Sequence, residues 1–372
     1  MKILILSFLI GACYLSAFSQ YKFTLVINTK TLSDAKGYLN VFNNKDFIPL
    51  GKDSFQIVNG SATITGQVKQ PSNFADLIVS YKGKDIQNNF VLDSGKNNIS
   101  LEVPDGEFKF LTLNSDAKGG IIYKELGDVF VEATARYRKS IGGSGYIQIP
   151  MELHDQIKGD QIKRLEAYPN DYGSLLFLYF LSRTDALPSS AKVNLATLAK
   201  FSDDLRNSPL GKQLYDEETS LINNKIAAGA GMDVRTFKVP DINNKLFSNS
   251  SLKGQPYVIV FSATWCGPCQ KQLPKLKKLY QTYKGKGLKV VYFNDDDNVV
   301  RWKEHVSKNK LTWINVSEKL KPSLSKISKS FGVYAIPTCL VVDKKGMIVY
   351  NSDESDTGIS RIESYIKKVV ND

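Results

Sequence analysis

The stretch that most limits the fold is "YVIVFSATWCGPCQKQLPKLKKLY", residues 257–280. Tyr257 to Ser262 form a nearly unbroken apolar run, as a strand buried on both faces requires. A few residues on, the period changes. Leu273, Leu276, Leu279 or Tyr280, and Tyr283 fall three and four apart, which marks one face of a helix. A strand passing straight into a helix is the repeating step of an α/β layer, in which helices cover a sheet. Between the two stand Cys266 and Cys269, the first where the helix should begin and the second one turn inside it.

The same alternation carries on to the end of the chain. "LKVVYFN" predicts a strand and "VVRWKEHVSKN" a helix. "IPTCLVVD", Lys344-Lys345-Gly346 and "MIVY" predict a hairpin, and "GISRIESYIKKVV" a closing helix. Residues 231–372 therefore read as one small α/β domain. Upstream, 20–117 predicts an antiparallel β-sandwich: Tyr21, Phe23, Leu25 and Ile27 alternate with their neighbours. In "DSFQIVNGSATITG" the Asn59-Gly60 pair predicts a hairpin, because both residues tolerate positive φ. Residues 118–230 change to helical spacing, as in "GDVFVEATARY" and "AKVNLATLAKFSDDL", and "AAGAGMDVRTF" reads as a linker. A length of 372 residues accommodates these parts, and 42% hydrophobic with 23% charged residues is an ordinary globular balance. The most apolar internal run, "LLFLYFL" at 175–181, falls far short of the roughly 20 residues a membrane span needs.

The N-terminus predicts export. "MKILILSFLIGACYLSAFSQ" has one basic residue, an apolar run, then Ala17-Phe18-Ser19, so residues 1–19 read as a signal peptide cut before Gln20. A rival reading is a lipoprotein signal, Ile10-Gly11-Ala12-Cys13, with Cys13 lipidated. Once residues 1–19 are removed, three cysteines remain: Cys266, Cys269 and Cys339. An exported protein stapled by disulfides carries a larger, even number, so the pair has another purpose. The net charge of +12 suggests a solvated basic surface or acidic partners. The lysines of 271–289 are not interleaved with arginine and aromatic residues as a nucleic-acid surface would be.

The position of the pair points to redox chemistry. A helix N-terminus presents unpaired N–H groups and a partial positive charge, which favour thiolate over thiol. Cys266 is the expected nucleophile and Cys269 the resolving thiol. Pro268 is tolerated in a first turn, Gly267 is expected to make the turn tight and leave Cys266 open, and Trp265 to flank the exposed sulfur. A zinc site needs a second ligand pair, and only Cys339, His154 and His305 remain, without ligand spacing. A purely structural Cys266–Cys269 staple closes too small a loop to remove much chain entropy. No cofactor or metal is expected. Cys339 reads as a small apolar strand residue, and Asp295-Asp296-Asp297 as a cap for the next helix.

"FSATWCGPCQKQLP" together with "FGVYAIPTCLVVDKKGMIV" resembles the thioredoxin superfamily, and within it the exported TlpA/ResA-like branch of thiol–disulfide oxidoreductases. The resemblance implies a thioredoxin-like fold over 232–372, a Cys266–Cys269 redox disulfide, and a cis peptide before Pro337 facing the pair and a substrate chain. It implies disulfide-containing envelope proteins as substrates and a membrane thiol-reductant donor, in the periplasm. The helix around Trp302 also suits this branch, and Pro274 matches the family's kinking proline. More loosely, the region upstream resembles the sandwich-plus-helices part of some Gram-negative envelope proteins. Two positions depart from the pattern. Plain thioredoxin has a buried Asp where this chain has Val260, and the branch often has a Glu where it has Gln272. Those carboxylates are thought to move the resolving thiol's proton. The expectation is an exported thiol–disulfide oxidoreductase acting as a reductase through a mixed disulfide. The alternative is an envelope binding or scaffold protein with a vestigial redox domain.

Overall fold

The structure is a computed structural model that describes residues 20–42, 49–104, 110–142, 148–354 and 361–372. The signal-peptide and Cys13 expectations lie outside the described residues. Packing divides the chain into two compact units: the described residues up to Leu181 with Thr197–Gly211, and Ser182–Ala196 with Lys212–Asp372.

The first unit begins with eight strands, β1 (Tyr21–Thr29), β2 (Ala35–Phe42), β3 (Pro49–Ile57), β4 (Ser61–Val68), β5 (Ser72–Tyr81), β6 (Lys84–Asp93), β7 (Gly95–Glu102) and β8 (Thr112–Ser115). They form two four-stranded sheets, ordered β4-β1-β7-β8 and β3-β2-β5-β6. Phe23, Leu25 and Ile27 of one sheet and Leu39, Leu77 and Val79 of the other share one apolar core, which makes the pair a sandwich. Two details differ from the sequence expectation. The β1–β7 pair is parallel. Asn59 and Gly60 do turn with φ of 50° and 75°, but they join strands of opposite sheets. Only the Val58–Ser61 bridge spans that turn. The Gly60 N–H donates to the Ser33 carbonyl and its own carbonyl accepts from Thr29, so the loop between β1 and β2 holds the turn.

Helices follow: α1 (Lys118–Ile141), α2 (Met151–Leu165), α3 (Tyr172–Ser182), α4 (Pro188–Leu198), α5 (Asp203–Asn207) and α6 (Pro209–Ala227). The "LLFLYFL" run lies in α3 and is buried apart from Phe180. Among the described residues no helix is long and apolar enough to cross a membrane.

The rest of the second unit holds a short ribbon, β9 (Lys238–Pro240) with β10 (Leu246–Ser248), then β11 (Tyr257–Ser262), α7 (Gly267–Tyr283), β12 (Lys289–Asn294), α8 (Val299–Lys308), β13 (Ile314–Val316), α9 (Lys326–Ser330), β14 (Thr338–Val342), β15 (Ile348–Asn351) and α10 (Ile362–Asn371). Five of the strands form a mixed sheet in the order β13-β12-β11-β14-β15. β11 is central, parallel to β12 and antiparallel to β14. Its six residues are all buried because both faces are covered. Val258, Val260, Val290 and Tyr292 face a core shared with α7, α8 and α10. Ile259, Phe261, Val291 and Phe293 face the opposite core with Phe237 and Phe331. The Lys344-Lys345-Gly346 hairpin forms as its sequence predicts, with Gly346 at φ 92° and Asp343 Oδ1 accepting from the N–H groups of Lys345 and Met347. The C-terminal end of α6 packs beside the segment that leads to Pro337. Arg235 Nη1 donates to Asn224 Oδ1 of α6 and to the Ser330 carbonyl, both at 2.9 Å.

Candidate active site

The central strand delivers the cysteine pair to one end of the sheet. After Ser262 the chain turns once, with the Cys266 N–H donating to the Ala263 carbonyl at 3.2 Å, and α7 begins. Cys266 is the N-cap of α7, and its sulfur accepts from the Cys269 N–H at 3.2 Å. Sulfur therefore does here what a Ser or Asp oxygen does at other helix starts. Pro268 lies in the first turn, where the N–H it lacks has no intrahelical partner. Pro274 lies further along the same helix. Gln270 reaches back, its side-chain amide donating to the Ala263 carbonyl at 2.8 Å, which ties the turn to the helix.

Cys266 and Cys269 are joined by a disulfide. The Ile336–Pro337 peptide is cis, and the Ile336 carbonyl oxygen lies 3.8 Å from Cys266 Sγ. Ala263, both cysteines and Ile336 form a small apolar cluster of their own. Cys266 is only 5% exposed and Cys269 3%, while Trp265 is 54% exposed. The expected open sulfur is thus covered in the disulfide form, and the exposed part of the site is the indole. Gly267 also differs from expectation. Its φ is not positive, and a Cβ there would meet nothing within 4 Å. The tight turn comes from the Ala263 to Cys266 hydrogen bond instead.

Beneath the disulfide lies a cavity, with about 10 Å3 open to the centre of a water molecule. Val260, Ser262, Cys269, Gln272, Leu273, Leu276, Tyr292 and Pro337 line it. The two positions where the family pattern has carboxylates, Val260 and Gln272, are therefore both on the wall beside Cys269. Ser262 Oγ and Tyr292 Oη share a 2.7 Å hydrogen bond on the same wall. Burial pushes the Tyr292 phenol up to about 12, against the Ser262 hydrogen bond, which lowers it.

The acidic triplet after β12 does not cap α8. Asn298 does so, its side chain accepting from the Arg301 N–H. The physical reason is that the first two aspartates are claimed by other parts of the fold. Asp296 Oδ2 accepts from the Thr264 N–H at 2.8 Å and so ties this loop to the turn before Cys266. Asp295 is fully buried, with Ser328 Oγ 3.0 and 2.9 Å from its two oxygens. Burial raises its pKa to about 7, in spite of hydrogen bonds from Ser328 and Ser325 that lower it. Asp297 pairs at 3.5 Å with Lys321 at an exposed position. None of these roles has a sequence signal beyond three acidic residues at the end of a strand.

Cys339 sits in β14 opposite Val260, fully buried, and burial pushes its thiol up to about 12. His305 Nδ1 lies 3.1 Å from Asn309 Nδ2 on α8, and burial lowers its pKa. Among the described residues no group of three or more His, Cys, Asp or Glu is placed to hold a metal ion.

The Redoxin family pattern matches residues 229–366. The thiol-disulfide oxidoreductase ResA of Bacillus thuringiensis strain Al Hakam is 30% identical over 139 residues, which is 37% of this chain and 78% of that protein. ResA of Geobacillus kaustophilus is 24% identical over 134 residues, covering 36% of this chain and 75% of that one. Among solved structures, the thioredoxin domain of a thiol-disulfide oxidoreductase from Bacteroides vulgatus is 24% identical. It covers 37% of this chain and 98% of its own, with a TM-score of 0.33.

Proposed function

This chain belongs to the thioredoxin superfamily as a ResA-like thiol–disulfide oxidoreductase, and on that premise we propose that it is an exported disulfide reductase working through the Cys266–Cys269 pair. Residues 231–372 form the catalytic domain, preceded by a β-rich part at 20–117 and a helical part at 118–230, after removal of 1–19. The observation that carries the proposal is the Cys266–Cys269 disulfide at the start of α7 with the Ile336 carbonyl against it.

The reaction runs as thiol exchange. In the reduced protein the α7 N-terminus and the Cys269 N–H stabilise the Cys266 thiolate. That thiolate attacks one sulfur of a substrate disulfide. A mixed disulfide forms and the substrate's other sulfur leaves as thiolate, taking a proton from water. Cys269, deprotonated, then attacks Cys266, forms the intramolecular disulfide and releases the second substrate thiolate. Trp265 and the backbone beside Pro337 flank the sulfur and receive the substrate chain. Substrates are disulfide-containing envelope proteins, and a membrane thiol donor in the periplasm returns the pair to the dithiol.

The direction follows from the Gly-Pro dipeptide between the cysteines, which the chain shares with reducing thioredoxins. Their potential is about −270 mV, whereas the oxidant DsbA stands at about −120 mV. Equilibrating the full chain against a dithiothreitol or glutathione series, with thiol trapping, measures it. A potential near that of thioredoxin is expected. A value near that of DsbA reverses the direction, and a pair that does not cycle leaves a scaffold with a vestigial domain.

A further inference from the structure

The missing carboxylates leave open how the buried resolving thiol is made reactive. Val260 cannot hydrogen-bond, and Gln272 carries no charge. Cys269 is nonetheless required, on the reading above, to attack as a thiolate from a site where burial opposes charge. The cavity wall beside it holds two hydroxyls, Ser262 Oγ and Tyr292 Oη, 2.7 Å apart. Two hydroxyls that share one hydrogen bond use one hydrogen between them and have one to spare. Among the described residues neither has a second hydrogen-bond partner. Both side chains stand on the face of the sheet that α7 covers, and the space they line with Cys269 is too small for more than a single water.

We infer that the Ser262–Tyr292 pair is the positioning device that makes Cys269 a nucleophile, directing its spare O–H toward the Cys269 sulfur and stabilising the thiolate. The inference rests on the oxidoreductase reading of the Cys266–Cys269 pair. The proton of Cys269 passes to solvent water. The thiolate left behind accepts the hydroxyl hydrogen bond, attacks Cys266 Sγ of the mixed disulfide, and forms the Cys266–Cys269 bond as the substrate thiolate departs. No net proton stays on either hydroxyl. A hydrogen bond to a charged acceptor is roughly twice as strong as a neutral one, so it favours thiolate over thiol. Of the groups lining the cavity, only Cys269 and Tyr292 titrate. The titratable neighbours of Tyr292 on other elements are Cys339 in β14 and Asp296 after β12, and both oppose its ionisation. On α8, His305 faces Asp296 and Lys308. The phenol therefore remains a donor through the working range.

The step can be watched directly. In the full-length reduced protein, the Cys266 thiolate attacks a chromogenic symmetric aryl disulfide, which leaves one aryl group on Cys266 and frees the other as thiolate, and release of the second aryl thiolate by Cys269 is followed against pH. The comparison is between the wild-type chain, the double variant Ser262→Ala with Tyr292→Phe, and the conservative Ser262→Thr. The double variant is expected to release about tenfold more slowly near neutrality, with its pH midpoint moved up by about one unit, and to match the wild type once Cys269 is fully ionised. Ser262→Thr, which keeps a hydroxyl, is expected to retain the wild-type midpoint. Should the double variant fail to fold, Tyr292→Phe with Ser262→Thr and Ser262→Ala alone give the same comparison in smaller steps. An unmoved midpoint, or a slowing equal at every pH, overturns the inference. Absence of release from the wild-type chain at any pH instead overturns the redox reading beneath it.

Discussion

Asp295 offers the sharpest quantitative test of the fold around the site. Its carboxyl is fully buried against Ser328, and burial raises its pKa from the ordinary 3.8 to about 7, helped by the negative charges of Glu318 and Asp296. Because the folded value stands above the unfolded one, the native state holds the proton over a range where the unfolded chain has lost it. By linkage, the stability from the protonated carboxyl is fully present below about pH 4 and is lost as pH rises through 7. Three units at about 1.4 kcal/mol each set an upper bound of about 4 kcal/mol between those limits.

Asp295→Asn replaces the acid with a neutral side chain of the same shape. At pH 5 the native carboxyl is neutral but the unfolded one is already largely ionised, so the variant should lead by only about 1.5 kcal/mol, apart from any packing cost. At pH 8 it should be the more stable, by up to about 3–4 kcal/mol, since it has no charge to bury. At about 2–4 °C per kcal/mol the melting temperature would rise by several degrees. Urea denaturation of both chains at the two pH values measures this, and the difference between pH values removes the packing cost. A gap that stays constant, or a variant that loses ground at pH 8, would refute the argument. Asp295 would then be ionised in the fold and held by a favourable partner.

Cys339 should resist alkylation in the native chain at pH 8 and react only on unfolding, because its thiol pKa of about 12 leaves roughly one molecule in ten thousand as thiolate. Mass mapping of iodoacetamide adducts on the reduced protein, with adducts on Cys266 and not on Cys339, checks this. Two glycines should behave in opposite ways. Gly332→Ala meets φ 62° and a Cβ 2.9 Å from the Lys225 backbone of α6, and should cost about 2 kcal/mol or more. Gly267→Ala meets open space at the start of a helix and should alter stability by under about 0.5 kcal/mol. Equal losses in thermal melts would mean that neither local conformation is as described.

The α/β part was legible because its signals are local. Six buried residues in a row at Tyr257–Ser262 and a three–four spacing from Leu273 are properties of one strand and one helix, and both appear where the spacing puts them. The Asn59-Gly60 turn shows the limit of the same method. Positive φ at two residues fixes a reversal of the chain, yet it does not decide which sheet edge each flanking strand joins. That choice is made by contacts with the loop between β1 and β2. The pairing of Ser262 with Tyr292 has no trace in the sequence for a related reason. It joins residues thirty apart through the register of two parallel strands, and each looks on its own like an ordinary member of a buried run.

The covering of Cys266 bears on how such a site selects what it acts on. In the disulfide form Cys266 is 5% exposed while the adjacent Trp265 is more than half exposed, so the indole, beside the Pro337 loop, is the exposed part of the site. That loop is fixed from beyond the matched region. Thr338 Oγ1 donates to Asp353 Oδ1, and Lys225 Nζ of α6 lies 2.7 Å from Asp353 Oδ2, both largely shielded from water. The segment that follows the cis Ile336–Pro337 peptide is thus tied to a helix that the Redoxin match, beginning at 229, does not include. A domain cut at that boundary would keep both cysteines and lose Lys225. Asp353 would then lose its ion pair, while the loop beside Pro337 would keep its Thr338 and Cys339 hydrogen bonds and the packing of Ile336 on the cysteine pair. The cysteine motif therefore leaves out a residue, Lys225, that helps to hold the segment beside the pair through Asp353 and Thr338.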